Sequence, residues 1–293
     1  MQVAIHLGAH CTDNDRLLKS LLRNKGLLAK SGISVPGPGR YRGTLVKAVQ
    51  KLRGAEASEE TQEMLMDAIT DGEDTQRVIL SHENFICVPG RVFDGGMLYE
   101  KAGYKPQWLR NIFPKDQVEF FIGICNPATF IPSVFHHSKQ NTFDFHRYLS
   151  GADIYDIRWS DVILAIQEAC PDCPITVWCN EDTPLIWQSL MQEIAGPDLQ
   201  DKLNGGYAIL SSIMKPDGMK RLRSYLAKNP PQDEIHRRRI VAAFLDKYAL
   251  EDEVEEELDA PGWTEELVQA LTQTYEDDIY EIERMPGVNF LSL

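Results

Sequence analysis

His82-Glu83 directly follows the short apolar run Val78-Ile79-Leu80-Ser81, and His10 follows a second one, Gln2 to Leu7. A carboxylate at a strand end can take the proton of an acceptor hydroxyl, so Glu83 is the leading general-base candidate. Its competing role is to cap the segment that follows. Histidine titrates nearest neutrality, which makes His10 and His82 further base candidates, against the alternative of hydrogen-bonded loop histidines. His136-His137 falls in a helical stretch where adjacent residues point to different faces. Cys170-Pro171-Asp172-Cys173 is a Cys-x-x-Cys with Cys179 beyond it, but zinc needs four ligands and no second pair has zinc spacing. A redox pair would follow a strand and open a helix, whereas this one precedes a strand, so a helix-to-strand turn is expected. No metal site is expected. His236-Arg237-Arg238-Arg239 is the densest basic cluster and should pair with the acidic C-terminal run. Glu181-Asp182 could orient a basic group or cap a helix.

The elements that must position these groups follow from periodicity. Strands are expected at 2–7, 78–81, 118–124 and 175–179, each short, apolar and rich in β-branched residues. Helices are expected from Thr12 or Asp13 to Lys30, with Leu17, Leu18, Leu21, Leu22 and Leu28 on one face, then over 44–52, 58–70, 107–112, 129–138 and 159–169. The segment Pro36-Gly37-Pro38-Gly39-Arg40-Tyr41-Arg42 reads as a loop. Beyond Asp182 the chain reads almost wholly helical. Four apolar strands alternating with helices predict an α/β fold, a parallel sheet with helices on both faces, plus a helical C-terminal subdomain. The expected division of a single domain is 1–182 for the α/β core and 183–293 for the helical part. Ligands in such sheets bind beyond the carboxyl ends of the strands, which brings together residues 8–16, 81–85 and 125–133.

The chain has 293 residues, 43% hydrophobic and 25% charged, which is ample for a packed core and excludes a disordered or collagen-like chain. No apolar run approaches the ~20 residues of a membrane helix, and the first residues read as a strand rather than a secretory signal. Six cysteines in this length form no disulfide framework, so a cytoplasmic protein with reduced thiols is expected. The net charge of −14 is local: residues 251–283 hold 14 acids and no Lys or Arg, leaving 44 − 14 = 30 acids against 30 bases elsewhere. The run Glu251 to Glu257 reads as a solvated helix face. No basic stripe with interleaved aromatics is present, so nucleic acid is disfavoured as a partner.

The turn Ile5-His6-Leu7-Gly8-Ala9-His10, the segment Cys11-Thr12-Asp13-Asn14-Asp15-Arg16, the triplet Ser81-His82-Glu83, and Cys125-Asn126-Pro127 with Ser133 eight residues after Cys125 together resemble the P-loop sulfotransferase superfamily, bacterial branch. The pattern Tyr275, Asp277, Asp278, Ile282 and Pro286-Gly287 is similar to the helix and tail that close those domains. The resemblance implies in-line transfer of a sulfuryl group from 3′-phosphoadenosine-5′-phosphosulfate to a hydroxyl or amine of a small-molecule, carbohydrate or protein acceptor. Of the family's ligand set it carries over Thr12, in the loop that holds the 5′-phosphosulfate, and Ser133, on the 3′-phosphate; Gly8, Asn14 and Arg16 of the same loop complete the cofactor-binding candidates, beside the catalytic candidates Glu83, His82 and His10.

The departures from that pattern matter chemically. The loop Lys is Cys11, the loop Gly is Asp13, the following hydroxyls are Asn14 and Asp15, and the Arg is Cys125. A helix N-terminus attracts anions through its free N–H groups and positive dipole end. Carboxylates at Asp13 and Asp15 compete for that position and repel a phosphate by about 1–4 kcal/mol per close pair. Losing the Lys and the Arg removes two charge-assisted contacts worth about 1.5–3 kcal/mol each. Micromolar binding is only about −8 kcal/mol. The expectation is a sulfotransferase-like protein with a degenerate cofactor site, noncatalytic or retooled, with an active sulfotransferase as the alternative. Arg16, Arg40 and Arg42 are the basic residues near enough in sequence to replace that charge.

Overall fold

A computed structural model of the chain describes residues 1–70, 72, 74–138, 144–250 and 260–293. The acidic run Glu251 to Glu257 lies outside the described residues. In chain order the elements are β1 (Gln2–His6), α1 (Arg16–Arg23), α2 (Lys25–Lys30), β2 (Ile33–Ser34), α3 (Pro38–Leu52), α4 (Glu59–Ile69), β3 (Arg77–Ser81), α5 (Lys105–Arg110), β4 (Gln117–Ile124), α6 (Pro127–His137), α7 (Phe145–Tyr148), α8 (Trp159–Ala169), β5 (Ile175–Cys179), α9 (Thr183–Ala195), α10 (Leu210–Ile213), α11 (Pro216–Lys228), α12 (Glu234–Tyr248), α13 (Glu265–Ile282) and β6 (Val288–Phe290).

The six strands form one all-parallel sheet in the order β2-β3-β1-β4-β5-β6. β1 is central, with His6 opposite Ser81 on one side and Phe121 on the other. Alternation along β1 decides what each face packs against. Val3, Ile5 and Leu7 join a core with Tyr41 and Leu45 of α3 and Val162 and Ile166 of α8. Ala4 joins a second core with Leu17 and Leu21 of α1 and Trp187 and Leu190 of α9. Helices therefore cover both faces, as parallel strands require. No helix among the described residues is long and apolar enough to cross a membrane.

The expected elements change in four places. The helix expected from Thr12 or Asp13 begins only at Arg16 and breaks at Asn24, whose Nδ2 donates to the carbonyls of Ser20 and Asn204, both at 2.9 Å. An amide side chain that bonds the backbone competes with helix continuation. The Pro-Gly segment expected as a loop opens α3, because Pro38 sits in its first turn, where no N–H is needed, and Tyr41, Leu45 and Val49 form its buried face. β2 is an unexpected two-residue strand beside β3. The C-terminal part is not wholly helical: β6 adds to β5, with Val288 opposite Ile175. Helices α10–α12 keep a small core of their own around Leu210, Met214, Leu222 and Val241.

Candidate active site and its electrostatics

β3, β1 and β4 end side by side, and the chain departs to opposite sides of β1, so the crevice at their carboxyl ends is where a ligand binds in such sheets. The loop after β1 is held tightly to its neighbours. The Gly8 carbonyl accepts from the Gly123 N–H at 2.7 Å, and the Ala9 N–H donates to the Gly123 carbonyl at 3.0 Å. Gly8 has φ +108°, and a Cβ there would stand 3.3 Å from the Glu83 Cα. Glycine is thus required both by conformation and by the closeness of Glu83. Gly8 faces another loop of the chain at this contact.

His10 is fully buried and both its ring nitrogens are engaged. The Tyr99 hydroxyl donates to Nδ1 at 2.6 Å and accepts from the His10 backbone N–H at 3.0 Å, while Nε2–H donates to the Asn84 Oδ1 at 2.9 Å. Burial lowers its pKa to about 4, so the ring is neutral. With both nitrogens committed, the geometry is that of a loop anchor rather than a base facing a substrate.

The start of α1 carries its own carboxylates. Asp13 Oδ2 accepts from the Leu17 N–H at 2.9 Å, and the Asp13 carbonyl accepts from the Arg16 N–H at 2.8 Å. Asp15 pairs with both terminal nitrogens of Arg42, at 3.0 and 2.5 Å. That guanidinium also donates to the Ser81 carbonyl at the end of β3. Hydrogen bonding to Arg42 holds the Asp15 carboxyl below its ordinary range. Tyr41, one residue earlier, closes the arrangement by donating to the Ser81 carbonyl and accepting the Ser81 N–H. Beneath them His6 shares a hydrogen bond with the Ser81 hydroxyl at 2.9 Å and stacks on Trp178. Of the three arginines considered from sequence, Arg42 reaches the crevice. Arg40 donates to the Thr70 carbonyl and Arg16 is exposed on α1.

Of the remaining phosphate-site residues, Thr12 and Ser133 hydrogen-bond the chain itself. The Thr12 hydroxyl donates to the Ala9 carbonyl at 2.7 Å, and Asn14 is exposed with a positive φ of 48°. The Ser133 hydroxyl donates to the Thr129 carbonyl at 2.7 Å, one turn back in α6. At the start of α6, where the resemblance would place an arginine at position 125, Glu181 comes across from the end of β5. Its Oε1 accepts from the Asn126 N–H at 2.7 Å, and its Oε2 accepts from the Tyr275 hydroxyl at 3.0 Å. A third carboxylate, buried Asp278, accepts the N–H groups of Trp159 and Ser160 at the start of α8, at 2.6 and 3.3 Å. Three helix starts around the crevice are thus occupied by carboxylates of the chain, and the residues present do not fit a phosphosulfate nucleotide.

Glu83 is half-buried beside Gly8, and His137 Nε2 lies 3.6 Å from its Oε1. Burial raises the Glu83 carboxyl above its usual range. His137 stands one helical turn after Ser133, so both share a face of α6. His82 is half-buried, with a pKa lowered to about 4 by burial and then by the Arg42 charge. Sequence reasoning brought Gly8, His10, His82 and Glu83 to one edge. It missed Tyr99, Asn84 and His137 as their partners, and it left Arg42 unplaced. Recognising Pro38 as a helix start would have put Arg42 one turn into α3.

The other motifs resolve locally. Cys170 and Cys173 are buried in the turn between α8 and β5, and the neighbouring Cys170 thiol together with burial pushes the Cys173 thiol up. Among the described residues no three His, Cys, Asp or Glu side chains converge to hold a metal. Arg237 and Arg238 pair with Glu234 of their own helix, and Arg238 also donates to the Ser292 carbonyl. Asp182 precedes α9 without a side-chain cap.

No family model, no curated protein and no solved structure matches the chain.

Proposed function

We propose that this chain is a P-loop sulfotransferase-like protein whose phosphosulfate seat is closed by its own carboxylates, and that it acts as a noncatalytic or retooled protein binding a different ligand or partner at the carboxyl edge of its sheet. Supporting the fold part of this reading are the central β1, the helix that follows it and the order β2-β3-β1-β4-β5. The observation that carries the functional part is the pair of carboxylates at the two places a nucleotide's phosphates would need. Asp13 occupies the Leu17 N–H and Glu181 occupies the Asn126 N–H, with Asp15 neutralising the nearby Arg42. An incoming phosphate would have to displace both acceptors and face their charge.

The second reading, an active sulfotransferase, is favoured by one observation. Glu83 is half-buried with a raised carboxyl pKa beside the β1 loop, the environment of a general base. Thermal unfolding with adenosine 3′,5′-bisphosphate separates the two. A ligand at a hundredfold excess over its Kd stabilises by about 2.7 kcal/mol, which in a chain of this size raises Tm by roughly 5 °C. No change in Tm at millimolar nucleotide is expected, and a saturable rise would favour the active enzyme.

A further inference from the structure

Just beyond β3, on the side of the crevice away from β4, lies a cavity of about 580 Å³. Its floor is apolar, built by Val46 and Val49 of α3, Phe85 and Ile86 of the loop after β3, and Leu109 of α5. Its charged lining is of one sign: Arg91, Lys101 and Lys105, with no Asp or Glu among the fourteen residues that line it. A cavity of similar volume lies elsewhere, beside Gly32 to Ser34 and Asp74 to Gln76, at the amino-terminal edge of the sheet, and it contains an acid. The cavity beyond β3 is the one at the ligand-binding edge.

The three cations are not equivalent. Lys101 pairs with Asp94 at 2.5 Å. Lys105 and Arg91 have no ion-pair partner among the described residues. The Lys105 ammonium is held in place by aromatic rings, 4.0 Å from the Trp108 ring centroid and 5.9 Å from that of Tyr104. Partial burial and the neighbouring Lys101 charge lower its pKa, the electrostatic condition that a bound anion would relieve. A cation oriented over rings, part-desolvated and without a carboxylate is arranged for a ligand rather than for the fold. The chemistry at hand is binding. The Cys87 thiol in the lining is pushed up to about 12 by burial, and His82 is neutral, so neither a thiolate nor an imidazolium is available at pH 7.

We propose that the cavity beyond β3 binds a small organic anion with an apolar body, its charged group between Lys105 and Arg91 and its apolar part against Val46, Val49, Phe85 and Leu109. An aryl or alkyl phosphate, sulfate or carboxylate has this chemistry. The inference stands on the cavity alone and does not depend on the sulfotransferase-like reading.

Calorimetric titration of the full chain with 1-naphthyl phosphate tests it, with 1-naphthylmethanol and inorganic phosphate as probes lacking the charge or the body. Saturable binding of 1-naphthyl phosphate is expected, with each partial probe at least tenfold weaker. Lys105→Met keeps the stem over Trp108 and should weaken 1-naphthyl phosphate at least tenfold. Lys115→Met, a surface residue paired with Glu59, should not change it. Arg91→Met, at an exposed position, provides a second lesion should Lys105→Met fold poorly, again with at least tenfold loss. Equal affinity for 1-naphthyl phosphate and 1-naphthylmethanol, absence of saturable binding up to about 10 mM, or loss no larger in the cavity variants than in Lys115→Met would overturn the proposal.

Discussion

Asp13, Asp15 and Arg42, in the loop after β1 and the helix beside it, are each bound to other groups of the chain. In the cavity beyond β3, Arg91 and Lys105 have no ion-pair partner among the described residues. The two regions share an edge of the sheet and touch through His82, which lines the cavity and feels the Arg42 charge. Charge that is fully engaged inside the chain supports the fold, because removing one member leaves the other desolvated and unpaired. Charge held without a partner adds little stability and remains available to a ligand. The position that a phosphate-binding loop would offer to an anion is filled, while cations collect next door.

The largest consequence of that contrast is in stability. Asp278→Ala strips two buried N–H groups at the start of α8 of their acceptor and should cost about 2–4 kcal/mol, measured by urea unfolding. A loss under about 1 kcal/mol would weaken the view that these carboxylates are structural. Arg42→Met leaves Asp15 without its ion pair and should cost about 1–3 kcal/mol, less because the pair is part-exposed, at 19% for the Arg42 side chain and 37% for that of Asp15.

The histidines carry a pH signature. His10 and His82 have pKa values near 4 in the fold, below the ordinary 6.5, so the unfolded chain binds more protons between these limits. Stability is full above about 6.5 and falls as pH drops toward 4, by ~2–3 kcal/mol for His10. His10→Gln should flatten the fall in unfolding free energy between pH 6.5 and 4.5, and an unchanged slope would show that His10 is not held neutral. The smallest effect is expected in the cavity. Lys105→Met should alter stability by no more than ~1 kcal/mol, the worth of its contact with Trp108. A larger loss would make Lys105 structural and erase the contrast.

Much of the frame is legible in the sequence because β1, β3, β4 and β5 are apolar runs long enough to announce themselves. β2 has two residues, and β6 is the partly exposed Val288-Asn289-Phe290, so neither carries enough apolar pattern to be read. The α1 break at Asn24 depends on a partner at residue 204, and the first turns of α3, ahead of the expected 44–52, lie behind Pro-Gly pairs that usually mark loops. At the site, the strand-end positions of His10, His82 and Glu83 follow from local pattern. The Tyr99 hydroxyl on His10, 89 residues away in sequence, and the Glu181 carboxylate on Asn126, 55 residues away, are set by tertiary packing that no local spacing encodes.

The central claim is that acidic side chains of this protein occupy the anion positions at the starts of α1 and α6. Calorimetric titration of the unmodified protein with adenosine 3′,5′-bisphosphate tests it most directly. The account predicts no saturable heat at millimolar nucleotide, and a one-to-one isotherm with a micromolar Kd would contradict it.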